Sequence, residues 1–375
     1  MRVLHVIGAM DCAGTETFLM NLYHNIDRNK VQFDFVVHTE KQMFYEKEIF
    51  LLGGKIFRVP QFKGYNIFTY KKWWDNFFNN HQEYAIVHGH IGSTASIYLS
   101  VANKYNYYTI AHSHATHEKG ISLMRIEFAL ATCTTRYIAD YFMACSKQAG
   151  IDRYGKKIVN SDCFQVINNG IECDKYIFSN KIRDKVRKSN NIDQNTIIIG
   201  HVGRFTEAKN HKKIIDVFNC FHKKHQNAVL WLFGEGELKQ EIEDKVKELR
   251  ISRSVCFKGL SSHINEELQA MDVFLFPSLF EGLGIALIEA QASGLPCVVS
   301  NAIQDEADIK AGLIKKLDLN LSDDKWASAL EEMLHRNRVD TSAYVKQAGF
   351  DIKSVANKLQ NFYLETLNNR NKSNI

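Results

Sequence analysis

The sequence predicts an α/β protein with two Rossmann-like domains, and three observations support this prediction. The chain has 375 residues, which is more than a single hydrophobic core usually organises. Short apolar runs rich in β-branched residues alternate with longer helix-like stretches, a pattern typical of parallel βαβ units. The alternation pauses near residue 170 and then resumes. We therefore expect two parallel sheets, each covered by helices.

The series of segments before the pause predicts the first sheet. Its expected strands are residues 3–7, 33–37, 56–59, 85–88 and 107–111. The segments between them have the length and periodicity of crossover helices, and these are residues 15–26, 45–52, 68–80 and 93–105. Together they predict an N-terminal domain of residues 1–168.

The series after the pause predicts the second sheet. We interpret the charged stretch 181–188 as part of the connection between domains. The pattern restarts with the apolar segment 196–203, and the expected strands that follow are residues 229–233, 255–257, 273–276 and 297–300. The expected helices are residues 212–225, 238–249 and 284–293. They predict a C-terminal domain of residues 169–350, and an amphipathic helix within 351–375 is expected to pack back on the first domain.

Composition narrows the class of protein. The net charge of +5 is spread thinly along the chain, which argues against a nucleic-acid partner. The eight cysteines form no CxxC pair, so we interpret them as reduced thiols in a cytoplasmic protein. No run of about 18 apolar residues occurs, and no membrane-spanning helix is expected.

A basic segment follows the first strand of the second series. Gly203 and Arg204 come directly after the strand, and Lys209 precedes a helix. Backbone N–H groups and the helix dipole favour anions at such a position, and two cations could neutralise a leaving diphosphate without a metal. The alternative is a solvated loop with two surface cations.

A glycine-rich loop between a strand and a helix carries two carboxylates. Glu281 lies in the loop beside Gly282 and Leu283, and Glu289 lies about two turns into the apolar helix that follows. Both can point to the same cleft. A buried carboxylate needs a hydrogen-bond partner, such as a pair of ribose hydroxyls, and the alternative for Glu289 is an internal salt bridge.

Histidines cluster in the first half of the sequence. They lie near the ends of two expected strands, and they are His88, His90, His112, His114 and His117. A metal site is one alternative, but no acidic residue has a recognisable ligand spacing, and we predict no metal. A hydrogen-bonded histidine at a strand end is the ordinary alternative for His112.

The stretch 70–78 joins basic and aromatic residues at helical spacing. With residues 119–125, it could touch the inner face of a membrane that carries a lipid-linked acceptor. The alternative is that its aromatic residues belong to the core.

The combined motifs resemble the retaining GT-B glycosyltransferases of family 4, which include exopolysaccharide and capsule enzymes. The resemblance covers nearly the whole chain. It rests on Ala13-Gly14-Thr15-Glu16, His88-Gly89-His90, Ala111-His112-Ser113-His114, Asn169-Gly170-Ile171, Gly203-Arg204 with Lys209, Gly234-Glu235-Gly236, and the spaced pair of Glu281 and Glu289. Many relatives have a second glycine where this sequence has Ala13.

The resemblance implies roles for the residues that match these motifs. Arg204 and Lys209 would contact the donor diphosphate, and Glu289 would bind the ribose. Glu281 would lie near the hydroxyls of the donor sugar, and His112 would be the active-site histidine near that sugar. Nucleotide contacts are further implied at Gly14, Gly203, Gly234, Lys258, Gly282 and Leu283.

The resemblance also implies the reaction. Two Rossmann-like domains would face each other across a cleft, with the donor held by the C-terminal domain. A hexosyl unit would move from a nucleotide diphosphate sugar, most simply a UDP-sugar, to a hydroxyl of a glycan or lipid-linked acceptor, with retention and without a metal or other cofactor. The alternatives are a nucleotide-sugar epimerase or hydrolase of the same architecture, or a non-catalytic partner subunit of a transferase.

Overall fold

The chain was analysed as a computed structural model that describes residues 1–11, 14–114 and 134–373. These residues divide into two compact units. The first unit contains residues 1–170 together with the segment that begins at Ile352, and the second contains residues 171–351. Each unit is built around one parallel sheet, so the predicted α/β fold with two Rossmann-like sheets is confirmed.

The first unit contains a sheet whose described strands run in the order β3-β2-β1-β4-β5-β6-β7, all parallel. The strands are β1 (Arg2–Ile7), β2 (Gln32–Val37), β3 (Ile56–Arg58), β4 (Tyr84–Gly89), β5 (Tyr108–Ser113), β6 (Tyr141–Ala144) and β7 (Phe164–Val166). The helices described before residue 170 are α1 (Gly14–Asn25), α2 (Glu46–Leu51), α3 (Ile67–Asn80), α4 (Ala95–Lys104), α5 (Lys147–Tyr154) and α6 (Lys156–Val159).

Strand β1 shows why this sheet is covered on both faces. Its residues after Arg2 are all buried, as expected for a central parallel strand. Side chains alternate across a strand, so Val3 and Ile7 enter one hydrophobic cluster while Leu4 and Val6 enter another. His5 therefore points to the same face as Val3.

That face is completed by a long helix near the end of the chain, Ile352–Ser373. Its buried residues Leu359 and Tyr363 pack in the cluster that contains Val3 and Phe33. The helix is fixed further by Gln360, whose Oε1 accepts a hydrogen bond from the Asp27 backbone N–H at 2.8 Å. The first unit is thus built from two separate parts of the sequence.

The second unit contains a sheet whose described strands run in the order β10-β9-β8-β11-β12-β13, also parallel. The strands are β8 (Ile197–Val202), β9 (Ala228–Phe233), β10 (Val255–Gly259), β11 (Val273–Phe276), β12 (Cys297–Ser300) and β13 (Ile314–Leu317). The helices are α7 (Cys173–Tyr176), α8 (Asn180–Ser189), α9 (His211–Lys224), α10 (Lys239–Glu248), α11 (Ile264–Ala270), α12 (Ile285–Ala292), α13 (Asp323–Leu334) and α14 (Ser342–Gln347), and the helix Ile352–Ser373 of the first unit is α15.

The charged stretch 181–188 is not part of the connection between the two units, and that prediction is wrong. It forms most of α8 within the second unit. Arg183 and Arg187 both reach the Asp272 carboxylate, at 2.6 Å and 2.7 Å, and the Arg187 side chain is fully buried. The basic residues therefore anchor the helix to the segment that precedes β11.

The aromatic stretch 70–78 lies in α3 and supplies core residues. Tyr70, Trp74, Phe77 and Phe78 are buried in the cluster on the second face of the first sheet. This burial supports the interpretation that they belong to the core. Residues 119–125 lie outside the described part of the chain. Among the described helices, none is both long and apolar enough to cross a membrane.

Candidate functional site

The candidate donor site of the second unit lies where the carboxyl ends of β8 and β11 meet. These neighbouring strands mark the point where the order of strands reverses, because the chain runs from β8 outward to β10 and then returns to β11 on the other side. In open α/β sheets, ligands bind outside such a switch point. The loops 203–210 and 277–284 begin there, and a hydrogen bond of 2.8 Å from the Leu279 N–H to the Ala208 carbonyl joins them.

A third loop, after β9, approaches the first one so closely that it requires glycine. An added Cβ at Gly234 would lie 2.1 Å from the Gly203 carbonyl oxygen, and Gly234 has a φ of +139°. The Phe205 N–H donates to the Glu235 carbonyl at 3.0 Å across the same contact. Gly234 thus allows its backbone to pack against that of Gly203 at the predicted nucleotide site.

Gly234→Ala is therefore expected to destabilise the second unit by about 2–4 kcal/mol, because the new Cβ clashes with backbone at a strained φ. A lower midpoint of chemical denaturation would show this. Gly8→Ala is the control, since a Cβ there would meet nothing within 4 Å. Equal stability of the two variants would contradict the packing argument.

The structure brings two predicted site residues into direct contact. The Lys209 ammonium lies 2.6 Å from Glu281 Oε1, and both side chains are largely buried, with 20% and 8% exposed. The Ser278 hydroxyl donates to the same carboxylate oxygen at 2.8 Å. Lys209 and Glu281 therefore form a largely buried ion pair at the switch point, fixed further by Ser278. This geometry argues against the alternative that Lys209 is a solvated surface cation.

Arg204 differs from Lys209 in its surroundings. Its side chain is exposed, and it makes no hydrogen bond or ion pair with the described residues. The guanidinium is thus available to an anionic ligand, although the structure does not bring it to Lys209. Its contact with a diphosphate stays a prediction.

Glu289 lies in α12, which begins after Gly284 in a left-handed conformation with a φ of +75°. Its carboxylate accepts a hydrogen bond of 2.6 Å from the Tyr176 hydroxyl. Burial raises the pKa of Glu289 to about 7, and the Tyr176 hydrogen bond opposes that rise. Among the described residues, the partner of Glu289 is a phenol and not a cation, which contradicts the salt-bridge alternative.

The other residues of the second unit that were predicted to contact the nucleotide differ in burial and in their contacts. Leu283 is buried in the core, and Gly282 is partly buried beside Glu281. The Lys258 ammonium donates to Asn190 Oδ1 and lies 4.7 Å from the centre of the Trp231 ring. Its side chain is thus directed to protein groups, and only its main chain is left for the predicted contact with a base.

Sequence reasoning missed several residues of this site. Tyr176 lies 113 residues before Glu289, and no local pattern links them. His201 and His211 are buried beside Gly203 and Lys209, and the pKa of His211 is lowered by burial to about 4. His201 Nδ1 pairs with the Leu275 carbonyl at 2.9 Å, whereas its Nε2 has no partner among the described residues.

The first unit has its own cluster, at the matching position of its sheet. Strands β1 and β4 meet at the switch point of that sheet, and five histidines from β1, β4, β5 and the segments after them lie together there. They are His5, His88, His90, His112 and His114. Burial lowers the pKa of each one, to about 3 for His5 and His114 and well below the usual value for the other three.

Hydrogen bonds organise these five rings into two rows. In one row, His90 joins His5 at 2.9 Å and His114 at 2.8 Å. In the other, His88 joins His112 at 3.1 Å. The structure therefore connects His112 with His88, and His117 lies outside the described residues.

The same histidines form two groups that could hold a metal ion. One contains His5, His88 and His90, and the other contains His90, His112 and His114, with ligand atoms within 4.8 Å of one another. Imidazole suits several transition metals. However, ring nitrogens of these histidines form hydrogen bonds with one another, at 2.8–3.1 Å. The arrangement favours a hydrogen-bonded network over a metal centre.

Gly14 is the first residue of α1 and is exposed. An added Cβ there would meet no atom within 4 Å, so packing does not require glycine at this position. Ala13 lies outside the described residues. The predicted role of Gly14 in approaching phosphate stays a prediction.

The sequence matches known proteins over nearly its whole length. Residues 182–349 match the family model described as glycosyl transferases group 1. The putative glycosyltransferase EpsF of Bacillus subtilis is 31% identical over 369 residues, which is 96% of this chain and 96% of that protein. The chain belongs to the group 1 glycosyltransferases. The predicted family and enzyme class are thereby confirmed.

Two further matches of this group 1 glycosyltransferase are informative. The UDP-Gal:alpha-D-GlcNAc-diphosphoundecaprenol alpha-1,3-galactosyltransferase of Escherichia coli is 25% identical over 315 residues, 77% of each chain. The crystal structure of Anabaena HepE in complex with UDP and glucose superposes with a TM-score of 0.76 at 15% identity, covering 97% of this chain and 100% of that one. The second match shows a shared fold, and the predicted GT-B class is confirmed.

Proposed function

We propose that this glycosyltransferase transfers a hexosyl unit from a UDP-sugar to a hydroxyl of a lipid-linked saccharide, with retention of configuration, during the synthesis of a surface polysaccharide. The observation that carries the proposal is the contact of Lys209 with Glu281 at the switch point of the second sheet. A cation held at the start of a helix beside a carboxylate suits a diphosphate next to sugar hydroxyls.

The chemistry of the donor end follows from these residues. As the bond to the anomeric carbon breaks, negative charge grows on the diphosphate, and Lys209 and Arg204 stabilise it electrostatically. The N–H groups at the start of α9 add to this field. Glu289 accepts hydrogen bonds from the ribose hydroxyls, and Glu281 accepts them from the sugar. No metal is needed for the departure of the diphosphate in this proposal.

The proposed acceptor rests on the relatives of this chain. The E. coli relative is named for a diphosphoundecaprenol-linked acceptor and a UDP-linked donor, and the putative glycosyltransferases EpsF and EpsD of Bacillus subtilis are further similar proteins. An acceptor of that kind is anchored in a membrane, so the proposal includes peripheral contact of this protein with a membrane surface. His112 is proposed to contact the transferred sugar, and the leaving phosphate to take the acceptor proton.

Product analysis tests the reaction. We expect that one of a set of UDP-hexoses, incubated with the enzyme and a polyprenyl-diphosphate-linked N-acetylglucosamine, extends the acceptor by one hexosyl unit. Mass spectrometry detects this product, and its anomeric coupling constant in NMR reports retention. Only epimerised or free sugar would support the epimerase or hydrolase alternative instead. Extension by the purified chain alone excludes a non-catalytic partner role.

A further inference from the structure

A row of hydrogen bonds connects α15 with His112 at the end of β5. The Tyr363 hydroxyl lies 2.6 Å from His88 Nδ1, and His88 Nε2 lies 3.1 Å from His112 Nδ1. All three side chains are buried, with at most 4% exposed. Three elements that are distant in sequence therefore meet in one continuous row.

Burial sets how many protons this row contains. It lowers the pKa of His88 and His112 well below 6.5 and raises the pKa of Tyr363 well above 10. At neutral pH, each imidazole thus has one N–H donor and one bare nitrogen acceptor, and the phenol keeps its proton. Each hydrogen bond in the row then has one donor and one acceptor. Because each ring has a single N–H, the direction of one hydrogen bond fixes the direction of the next.

Tyr363 decides that direction. Its hydroxyl has His88 Nδ1 as its hydrogen-bond partner among the described residues, and a buried O–H without an acceptor costs about 1–3 kcal/mol. The phenol therefore donates to Nδ1, and the proton of His88 must be on Nε2. That N–H donates to His112 Nδ1, which places the proton of His112 on Nε2.

The Nε2 atom of His112 is the open end of the row. It is buried, and it has no hydrogen-bond partner among the described residues. The ring is also held in place, because it stacks on His114 at 4.1 Å and meets the edge of Phe18 at 6.0 Å between ring centres. The ring is thus fixed, and its Nε2–H has no acceptor among the described residues.

We propose that Tyr363 is a positioning residue that acts through His88 to hold His112 in the Nε2–H form, so that His112 donates a hydrogen bond to an oxygen of the transferred sugar. This inference rests on the proposed function, which gives His112 its contact with that sugar. It also excludes His112 as the base that takes the acceptor proton, since its free nitrogen already carries a proton.

The tautomer can be measured without activity. We expect long-range ¹H–¹⁵N spectra of the ¹⁵N-histidine-labelled protein to show neutral His112 with its proton on Nε2, assigned by comparison with His112→Gln. In Tyr363→Phe, the His88 and His112 signals should shift toward a mixture of tautomers. A proton on Nδ1 of His112 in the wild type, or unchanged signals in Tyr363→Phe, would overturn the inference.

Kinetics test the consequence. Tyr363→Phe is expected to lower kcat roughly tenfold while KM for the donor changes less than about twofold, because part of the His112 population loses the Nε2–H that is directed to the reacting sugar. Tyr23→Phe is the matched control, since it removes a buried phenol from the same hydrophobic cluster, where Tyr23 donates to the Leu52 carbonyl at 3.2 Å. If both variants lost kcat equally, the loss in Tyr363→Phe would be explained by a less stable protein, and the inference would be contradicted.

A second pair of variants separates positioning from packing. His88→Gln keeps an N–H near the position of Nε2 and should preserve most of kcat, whereas His88→Leu should lose it. Equal rates for the two variants would count against the row. If His112→Ala transfers sugar at the wild-type rate, the proposed function of His112 fails, and the NMR result still decides the tautomer.

Discussion

Glu289→Gln is expected to make the protein more stable at pH 8 and at the same time to weaken its binding of a UDP-sugar. The carboxyl group of this partly buried residue lies against Tyr176, and desolvation raises its pKa from 4.5 to about 7. Glutamine keeps a carbonyl oxygen for the Tyr176 hydroxyl, but it has no charge to bury. The site therefore gives up stability to keep a carboxylate.

The effect on stability depends on pH in a defined window. Between pH 4.5 and 7, folded Glu289 keeps a proton that the unfolded chain has released, so wild-type stability falls as the pH rises. The advantage of Glu289→Gln should grow across this window to at most about 3 kcal/mol and then stay constant. Urea denaturation at pH 5 and pH 8 measures it.

The control for this experiment is Glu248→Gln, which changes an exposed residue of α10. It should unfold like the wild type at both pH values. A difference between Glu289→Gln and the wild type that is equal at pH 5 and pH 8 would contradict the buried carboxylate.

Binding should change in the opposite sense. If the Glu289 carboxylate accepts hydrogen bonds from ribose hydroxyls, the amide replaces a charged acceptor with a weaker acceptor and a donor. We expect the Kd of the matching UDP-sugar to rise about 10–100-fold at pH 8, as measured by calorimetry. A variant that is more stable and binds as well as the wild type would remove Glu289 from the donor site.

Lys209→Ala is expected to produce the other large loss of binding. It removes a cation from the predicted diphosphate site and leaves the Glu281 carboxylate, 8% exposed, without its ion-pair partner. Both changes oppose an anionic ligand, so we expect the Kd of UDP to rise at least about 100-fold. Lys212→Ala is the control, since Lys212 pairs with Glu241 on an exposed surface.

A double variant separates the two causes. In Lys209→Ala with Glu281→Gln, the carboxylate that has lost Lys209 is replaced by a neutral amide. If binding is mainly lost through repulsion by Glu281, the double variant should recover most of the affinity. If Lys209 itself contacts the diphosphate, as we propose, affinity should stay low. UDP binding by Lys209→Ala equal to that of the wild type would exclude the assignment.

The sequence was sufficient for most strands because buried parallel strands are recognisable as short apolar runs, but β6 and β7 of the first sheet were not predicted. The predicted strands at 3–7 and 297–300 correspond to β1 and β12. Strand β13 was missed, since Ile314–Leu317 contains two lysines and reads as an exposed segment. Helix α8 was missed for a related reason: its arginines appear solvated in sequence, although in the fold they reach a carboxylate 85 or more residues away.

The residues of the site were predictable where they lie in a loop directly after a strand. Lys209 and Glu281 each follow a strand of the switch point, and the topology brings them together. Tyr363 belongs to the predicted amphipathic helix, but its hydrogen bond to His88 was not predictable, and neither was that of Tyr176 to Glu289, because each tyrosine reaches its partner from a helix far along the chain. Their contribution is to set protons on a carboxylate and an imidazole, which depends on burial that only the fold defines.

The place of α15 has a consequence for synthesis on the ribosome. Strands of the first sheet are translated about 190 residues or more before Tyr363, yet the surface that Tyr363 and Leu359 cover belongs to the cluster around Val3. Until the ribosome releases this helix, that apolar face lacks its cover, while every residue of the second unit has already been translated. The unit that is translated first is therefore the one whose core is completed last, and its His88 acquires the phenol partner only at that final step.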